Sequence, residues 1–341
     1  MADPTPVPLI DVGALSGPPS AARDALDRAI AAAAHEVGFL IIVALPPDVP
    51  VGTAARARLL RIFDLEPAVL RALWRRQFEP RNRNVYRGWF PAQSGHVTAK
   101  EGIDLGPDLL YGTEVIRPAD PLREPTPLPD EGQLPGWRAL AADYYAAMER
   151  LCQSLMHAIA RSLELPENFF DAAFERGLST LRLLRYPPRS ADDLARCQDE
   201  GLWTVHAGQR RHLAGAAHTD SGFLTVLAQD GVPGLQARTA GGDWIDVPAL
   251  EQGLAVNFGQ VLERWSGGRI RATEHRVLGA EQVRCSIPFF YEARADACIG
   301  PLPADDPSAF APFLYGDYLW ERIVSFVEFR GLQRERDTVG A

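Results

Sequence analysis

The sequence predicts a mainly β fold with flanking helices, and three observations carry that prediction. From residue 223 to residue 292, short apolar runs alternate with Gly- and Pro-containing breaks, as in an all-β barrel. Between residues 137 and 159, apolar side chains step by three and four, the spacing of one long amphipathic helix that braces a core. The chain has 341 residues, 46% of them hydrophobic, and no long linker, which fits one large domain with an elaborated N-terminal half.

The elements follow in order. Residues 7–12 read as a short edge strand or an ordered arm. Ser20 can cap a helix running to Val37, with Leu26, Ile30, Ala33 and Val37 as its apolar stripe and Gly38 as its stop. Residues 39–44 are apolar throughout and read as a buried strand. Helices are expected over 53–65 and 67–77, the second with Pro67 in its first turn. Residues 81–91 mix arginines with aromatics on a loop, which suits either substrate contact or a solvated basic surface. Residues 119–135, rich in Pro, Asp and Glu, read as a surface loop ahead of the long helix. Residues 181–186 form a strand on which Arg182, Leu184 and Tyr186 share one face. The connection 189–212 is long for a link between strands. It carries Trp203, His206, Arg210 and Arg211, and it is expected to gate a substrate site. Strands at 223–229, 235–238, 244–247, 254–258, 275–278 and 284–292 then alternate with turns. An amphipathic helix over 314–329, ended by Gly331, closes the chain.

Composition excludes some functions. A net charge of -9 argues against nucleic acid as a partner. No basic region precedes an apolar stretch at the N-terminus, so no signal peptide is expected, and no apolar run reaches membrane-spanning length. Cys152, Cys197, Cys285 and Cys298 are scattered without a Cys-x-x-Cys, which implies reduced thiols in a cytoplasmic protein.

The chemistry concentrates in Gly215–Thr225. His218 and Asp220 are two residues apart, so on an extended chain both face one side and can share a metal ion. His275 is the best third ligand, giving the two-His, one-carboxylate set of non-haem Fe(II) oxygenases, which leaves coordination positions open. Arg284 and Ser286 are again two apart, in an apolar run. A buried guanidinium there needs an anion, and with the hydroxyl it makes a receptor for a carboxylate. Phe290 is in step with them on the inward side, whereas Phe289 and Tyr291 face the other way. Phe223, Trp265 and Phe290 are candidates for packing a substrate or simply for the core.

These blocks stand in one order: Arg185-Tyr186-Pro187-Pro188, His218-Thr219-Asp220-Ser221-Gly222-Phe223-Leu224-Thr225, Gly234-Leu235-Gln236, Val256-Asn257-Phe258-Gly259, His275-Arg276-Val277 and Arg284-Cys285-Ser286-Ile287-Pro288. In this the chain resembles the isopenicillin N synthase-like branch of the Fe(II)/2-oxoglutarate-dependent oxygenases, over most of its length. The resemblance implies a double-stranded β-helix (a jelly roll, cupin-like). It divides the single domain into a helix-rich part (1–178), a catalytic core (179–295) and a C-terminal helix region (296–341), and it favours a strand at residues 7–12. It also implies that Fe(II) is held by His218, Asp220 and His275, and that Arg284 and Ser286 grip the distal carboxylate of 2-oxoglutarate. Tyr186 would hydrogen-bond that co-substrate, although Leu184 stands where some members have Asn. Arg182 would bind a carboxylate of co-substrate or substrate, and Asn257 is either a co-substrate or a structural residue. Arg87 and Trp89 would lie near the site's mouth. With O₂ the outcome would be oxidation, by default hydroxylation, of a small molecule, with succinate and CO₂ as co-products. A carboxylated substrate is one candidate. Arg87, Trp89, His206, Arg210, Phe223 and Phe290 are the candidate substrate residues. An oxidase of the same fold without 2-oxoglutarate, and a metal-binding sensor without turnover, are the alternatives.

Overall fold

Alternation of inward and outward side chains along residues 180–291 builds two sheets that face each other. The computed structural model describes residues 6–325 apart from 51, 94 and 118, together with 329 and 334. The strands of its two main sheets are β1 (Leu9–Asp11), β2 (Phe39–Val43), β3 (Gly88–Phe90), β4 (Glu101–Leu105), β5 (Thr180–Tyr186), β6 (Trp203–His206), β7 (Gln209–His218), β8 (Leu224–Gln229), β9 (Leu235–Arg238), β10 (Trp244–Asp246), β11 (Leu254–Phe258), β12 (His275–Leu278) and β13 (Arg284–Tyr291). The large sheet runs β1-β2-β11-β8-β13-β5-β4-β3 and the small one β10-β9-β12-β7-β6. β1 and β2 pair in parallel, and their neighbours are antiparallel. This is the expected jelly roll. The N-terminal half is more than a helical flank, because β1 to β4 supply half of the large sheet.

The outer face of the large sheet is closed by the helix Trp137–Ser162, which buries Tyr144, Tyr145, Met148, Leu151 and Leu155. The Tyr145 ring meets Phe289 edge-on at 5.0 Å, and Phe174 stacks on Tyr291 at 4.4 Å. Each such ring contributes roughly 1.5–3 kcal/mol by leaving water. Packing them outward turns the alternate residues Arg284, Ser286, Pro288 and Phe290 inward, as the two-residue period requires. Helix Ala21–Glu36 is capped by Ser20, whose Oγ accepts the Arg23 N–H at 3.2 Å.

Four expectations need correction. The helix expected over 67–77 ends at Ala72, because the chain there pairs Trp74 with Trp89 instead: the Trp89 N–H donates to the Leu73 carbonyl and the Arg75 N–H to the Trp89 carbonyl. The helix expected over 53–65 is α-helical over Thr53–Leu60 and tightens to a 3-10 turn over Arg61–Asp64. Residues 119–135 are not merely a surface loop. Leu122 is buried, and the Glu124 carboxylate accepts the N–H groups of Val85, Tyr86 and Arg87. The connection 189–212 is folded rather than loose, with a helix over Ala191–Arg196 and then a β6–β7 hairpin. That hairpin turns at Ala207 and Gly208, both with positive φ (48° and 74°), the conformation of a two-residue I′ turn. At the C-terminus the described helix is Tyr315–Ile323, and Gly331 lies outside the described residues.

Candidate metal centre and active site

Two strands of the small sheet and one loop bring the three ligating side chains together. β7 ends at His218 and β12 begins at His275, and these two residues are direct cross-strand partners. Their rings lie 4.3 Å apart. Asp220 follows in the loop to β8, with Oδ1 at 3.8 Å from Nε2 of each histidine. One ligand atom from each of the three lies within 4.8 Å of the others, and this is the one such cluster among the described residues.

The surroundings fix which atoms face the cavity. His218 Nδ1 lies 2.8 Å from the Ala216 carbonyl and His275 Nδ1 lies 3.2 Å from the Thr273 carbonyl. Each Nδ1 donates there, so each Nε2 presents its lone pair. Asp220 Oδ2 accepts from Thr225 Oγ1 at 2.6 Å and Asn257 Nδ2 at 2.7 Å, which leaves Oδ1 for the histidines. Burial opposes ionisation of Asp220, but His275 and His218, with those hydrogen bonds, outweigh it and hold its carboxyl below the usual value. His218 is one of the residues lining the cavity, with 41% of its side chain exposed. Desolvation inside the cavity and the neighbouring His275 bring its pKa down to about 4, so at neutral pH the lone pair is free. Two imidazoles and one carboxylate on one side of a point fit a hard-to-borderline divalent metal.

The same loop depends on two glycines. A Cβ on Gly259 would meet the Gly222 carbonyl oxygen at 2.3 Å, and one on Gly222 would meet both Glu292 carboxyl oxygens at 2.5 Å. At Gly259 only bare backbone allows the Asp220 loop to sit against the end of β11, whereas at Gly222 it is the Glu292 carboxyl that occupies the space.

All three residues line one cavity between the sheets, together with Arg182, Tyr186, Phe223, Asn257, Arg284, Ser286 and Phe290. Arg284 is 2% exposed, yet its guanidinium has one hydrogen bond, Nη2 to Gln229 Oε1 at 3.2 Å. Nε and Nη1 are sealed from solvent and have no partner among the described residues. The guanidinium lies 5.1 Å from the Tyr186 ring centre. A buried cation with open N–H groups beside a cavity is a receptor for an anion.

Other expected residues lie elsewhere or do other work. Arg87 is fully buried and donates to Leu178 O at 3.0 Å and to Thr180 Oγ1, behind the cavity wall. Trp89 is a core residue packed edge-on against Phe63 at 5.0 Å, not a mouth residue. His206 pairs with Gln236 and Asp246, and Arg210 lies over the Trp203 ring at 4.0 Å. Neither lines the cavity, whose walls include no residue of 189–212, so the expected gate is a hairpin standing outside the site. Trp265 packs with Phe170 and Phe223 in the core. Arg182 does line the cavity, but Asp104 accepts from its Nε and, at 2.8 Å, from its Nη2. Asn257, expected at the co-substrate, uses its amide on Asp220. The sequence reading missed Thr225, Leu227, Tyr86, Thr180 and Glu292 as cavity residues. Thr225 and Leu227 had a usable signal, since both share the inward face of β8.

The 2OG-Fe(II) oxygenase superfamily model matches residues 179–293, the span that carries all three ligating side chains and Arg284. The chain is 31% identical to an isopenicillin N synthase of Streptomyces clavuligerus, over 71% of this chain and 72% of that one. It is 29% identical to a 2-oxoglutarate-Fe(II) type oxidoreductase of Aspergillus fumigatus, over 87% and 85%. A full-length Neurospora crassa protein, solved in complex with alpha-KG, has the same fold, with a TM-score of 0.76 at 23% identity over 94% of this chain and 96% of that one. The chain therefore belongs to the 2OG-Fe(II) oxygenase superfamily, in its isopenicillin N synthase-like branch: an oxidoreductase whose cofactor and co-substrates are Fe(II), 2-oxoglutarate and O₂. No described helix is long and apolar enough to cross a membrane.

Proposed function

We propose that this protein is an Fe(II)/2-oxoglutarate-dependent dioxygenase that hydroxylates a small molecule and releases succinate and CO₂. His218, Asp220 and His275 hold the iron through Nε2, Oδ1 and Nε2. Bound iron supplies the activation of O₂ that an unreactive C–H bond needs. Arg284, with Ser286 in step on β13, takes the distal carboxylate of 2-oxoglutarate, and Tyr186 packs beneath the guanidinium. The observation that carries this reading is the pair of sealed, unpartnered N–H groups on Arg284, in the same cavity as the three ligating side chains. Thr225 and Asn257 keep Asp220 ionised and aimed.

The far end of the cavity is left for substrate, with Phe223 and Phe290 on its walls. Arg182, expected to bind a carboxylate, lines the cavity, and Asp104 accepts its hydrogen bonds. Carboxylate recognition therefore falls to Arg284. The test is succinate release by the Fe(II)-loaded protein in the presence of 2-oxoglutarate and O₂. Oxygen uptake with substrate but without succinate would instead establish the oxidase that needs no 2-oxoglutarate.

A further inference from the structure

Glu292 follows β13 directly and continues its inward two-residue period: Arg284, Ser286, Pro288, Phe290, Glu292. Eight residues of extended chain place it about 26 Å of strand from Arg284. Phe290 is paired with Thr225, the residue that holds Asp220, so Glu292 stands one step beyond the ligating carboxylate, opposite the Arg284 end. Its side chain is 8% exposed. Tyr315 donates its hydroxyl to Oε2, and Ser179 Oγ accepts the Glu292 N–H. Oε1 has no hydrogen-bond partner among the described residues, on a side chain that lines the cavity.

The carboxyl also fills the space that Gly222 vacates. Tyr86 and Thr180 line the same end, and the apolar walls there are Phe290, Phe329 and Leu319. Such a site combines a mainly apolar slot with one polar edge, the usual anatomy of small-molecule recognition. We propose that Glu292 is the specificity-determining residue of the substrate end, and that it selects a molecule with an apolar body bearing an N–H donor. This rests on the reading of the cavity as the oxygenase site. Burial, and behind it the Asp220 charge, push the Glu292 pKa well up, against the pull of Arg87, which favours the neutral acid. Tyr315 holds Oε2, so Oε1 is the oxygen that a ligand N–H meets, and its lone pairs are there whether or not the carboxyl carries a proton.

The role of Tyr315 raises the rival reading, that Glu292 only anchors the helix Tyr315–Ile323. Two isosteric probes separate the two. Benzamide and acetophenone differ by NH₂ against CH₃, and both are titrated calorimetrically into the full chain loaded with Mn(II) and 2-oxoglutarate. The expected result is about tenfold tighter binding of benzamide, the effect of one buried hydrogen bond and the unmet partner its loss leaves behind. Glu292→Gln, whose amide edge keeps the pairing, is expected to keep that preference. Glu292→Leu and Glu292→Met are expected to abolish it without altering Mn(II) or 2-oxoglutarate affinity. Equal affinities in the wild-type protein, no saturable binding of either probe, or a preference that survives in a folded Leu or Met variant overturns the proposal. The metal and 2-oxoglutarate titrations test the parent reading by themselves, so a probe result against Glu292 leaves that reading standing.

Discussion

Arg284→Leu is expected to move two measured quantities in opposite directions. The side chain is 2% exposed, with Nε and Nη1 sealed and unpartnered and one neutral hydrogen bond to Gln229. Without an anion the folded protein therefore carries a desolvated charge that leucine removes. Replacing buried ionic groups by well-packed apolar ones is commonly neutral or stabilising by about 1–4 kcal/mol. The metal-free, ligand-free variant should melt at the wild-type temperature or above it. Co-substrate binding, in contrast, should lose two charge-assisted hydrogen bonds at roughly 1.5–3 kcal/mol each, about 10²- to 10⁴-fold in affinity. Scanning calorimetry with and without 2-oxoglutarate, alongside KM from succinate release, reads both. The wild-type protein should gain about 2.7 kcal/mol at a ligand concentration of 100 Kd, and the variant should gain nothing at that concentration. A variant that is destabilised when empty yet keeps its KM would show that Arg284 is a structural cation and that the co-substrate is bound elsewhere.

His218→Ala, Asp220→Ala or His275→Ala should abolish tight Fe(II) or Mn(II) binding by titration, and Asn257→Ala, which leaves Oδ2 of Asp220 one partner short, should weaken it about 10–100-fold. Wild-type affinity in Asp220→Ala would remove this site from consideration. Burial pushes Glu149, whose Oε1 is sealed without a partner, up from 4.5 to about 7. Between those values the native chain keeps a proton that the unfolded chain has released, so stability should fall as pH rises from about 4.5 to 7 and then level off, by no more than about 3 kcal/mol. Glu149→Gln should flatten that slope in denaturant titrations, and parallel curves for the two proteins would contradict the assignment. Phe289→Ala, which removes the ring under Tyr145, should cost about 3–5 kcal/mol in urea unfolding, and a loss below about 1 kcal/mol would mean that the helix Trp137–Ser162 is not held there.

What could be read from the chain depended on distance along it. His218 with Asp220, and Arg284 with Ser286 and Phe290, are two-residue steps, and strand geometry converts a step of two into a shared face without further information. The outward placement of Phe289 and Tyr291 followed from the same period. Arg87 and Trp89 show the limit. A loop rich in Arg and aromatics looks like a surface until the residues that bury it are known, and those are Thr180 and Leu178 for Arg87 and Phe63 for Trp89. Asn257 had an ambiguous reading for a related reason: its partner, Asp220, is 37 residues away on a loop held against β11 by two glycines. In the connection 189–212, the Ala207-Gly208 turn between two β-capable runs was a local signal for a hairpin. The overall length of the segment drew attention away from it.

The origin of the three ligating side chains has a mechanical consequence. His218 and His275 belong to the small sheet, while Asp220 is tied by Thr225 and Asn257 to β8 and β11 of the large one. A cation shared by all three rivets one leaf of the sandwich to the other. At that end the leaves are joined by coordination, whereas the helix side is held by aromatic packing. Loading the metal therefore stiffens a seam of the fold as well as equipping the site, and the mouth should be tight when iron is held and slack when it is lost.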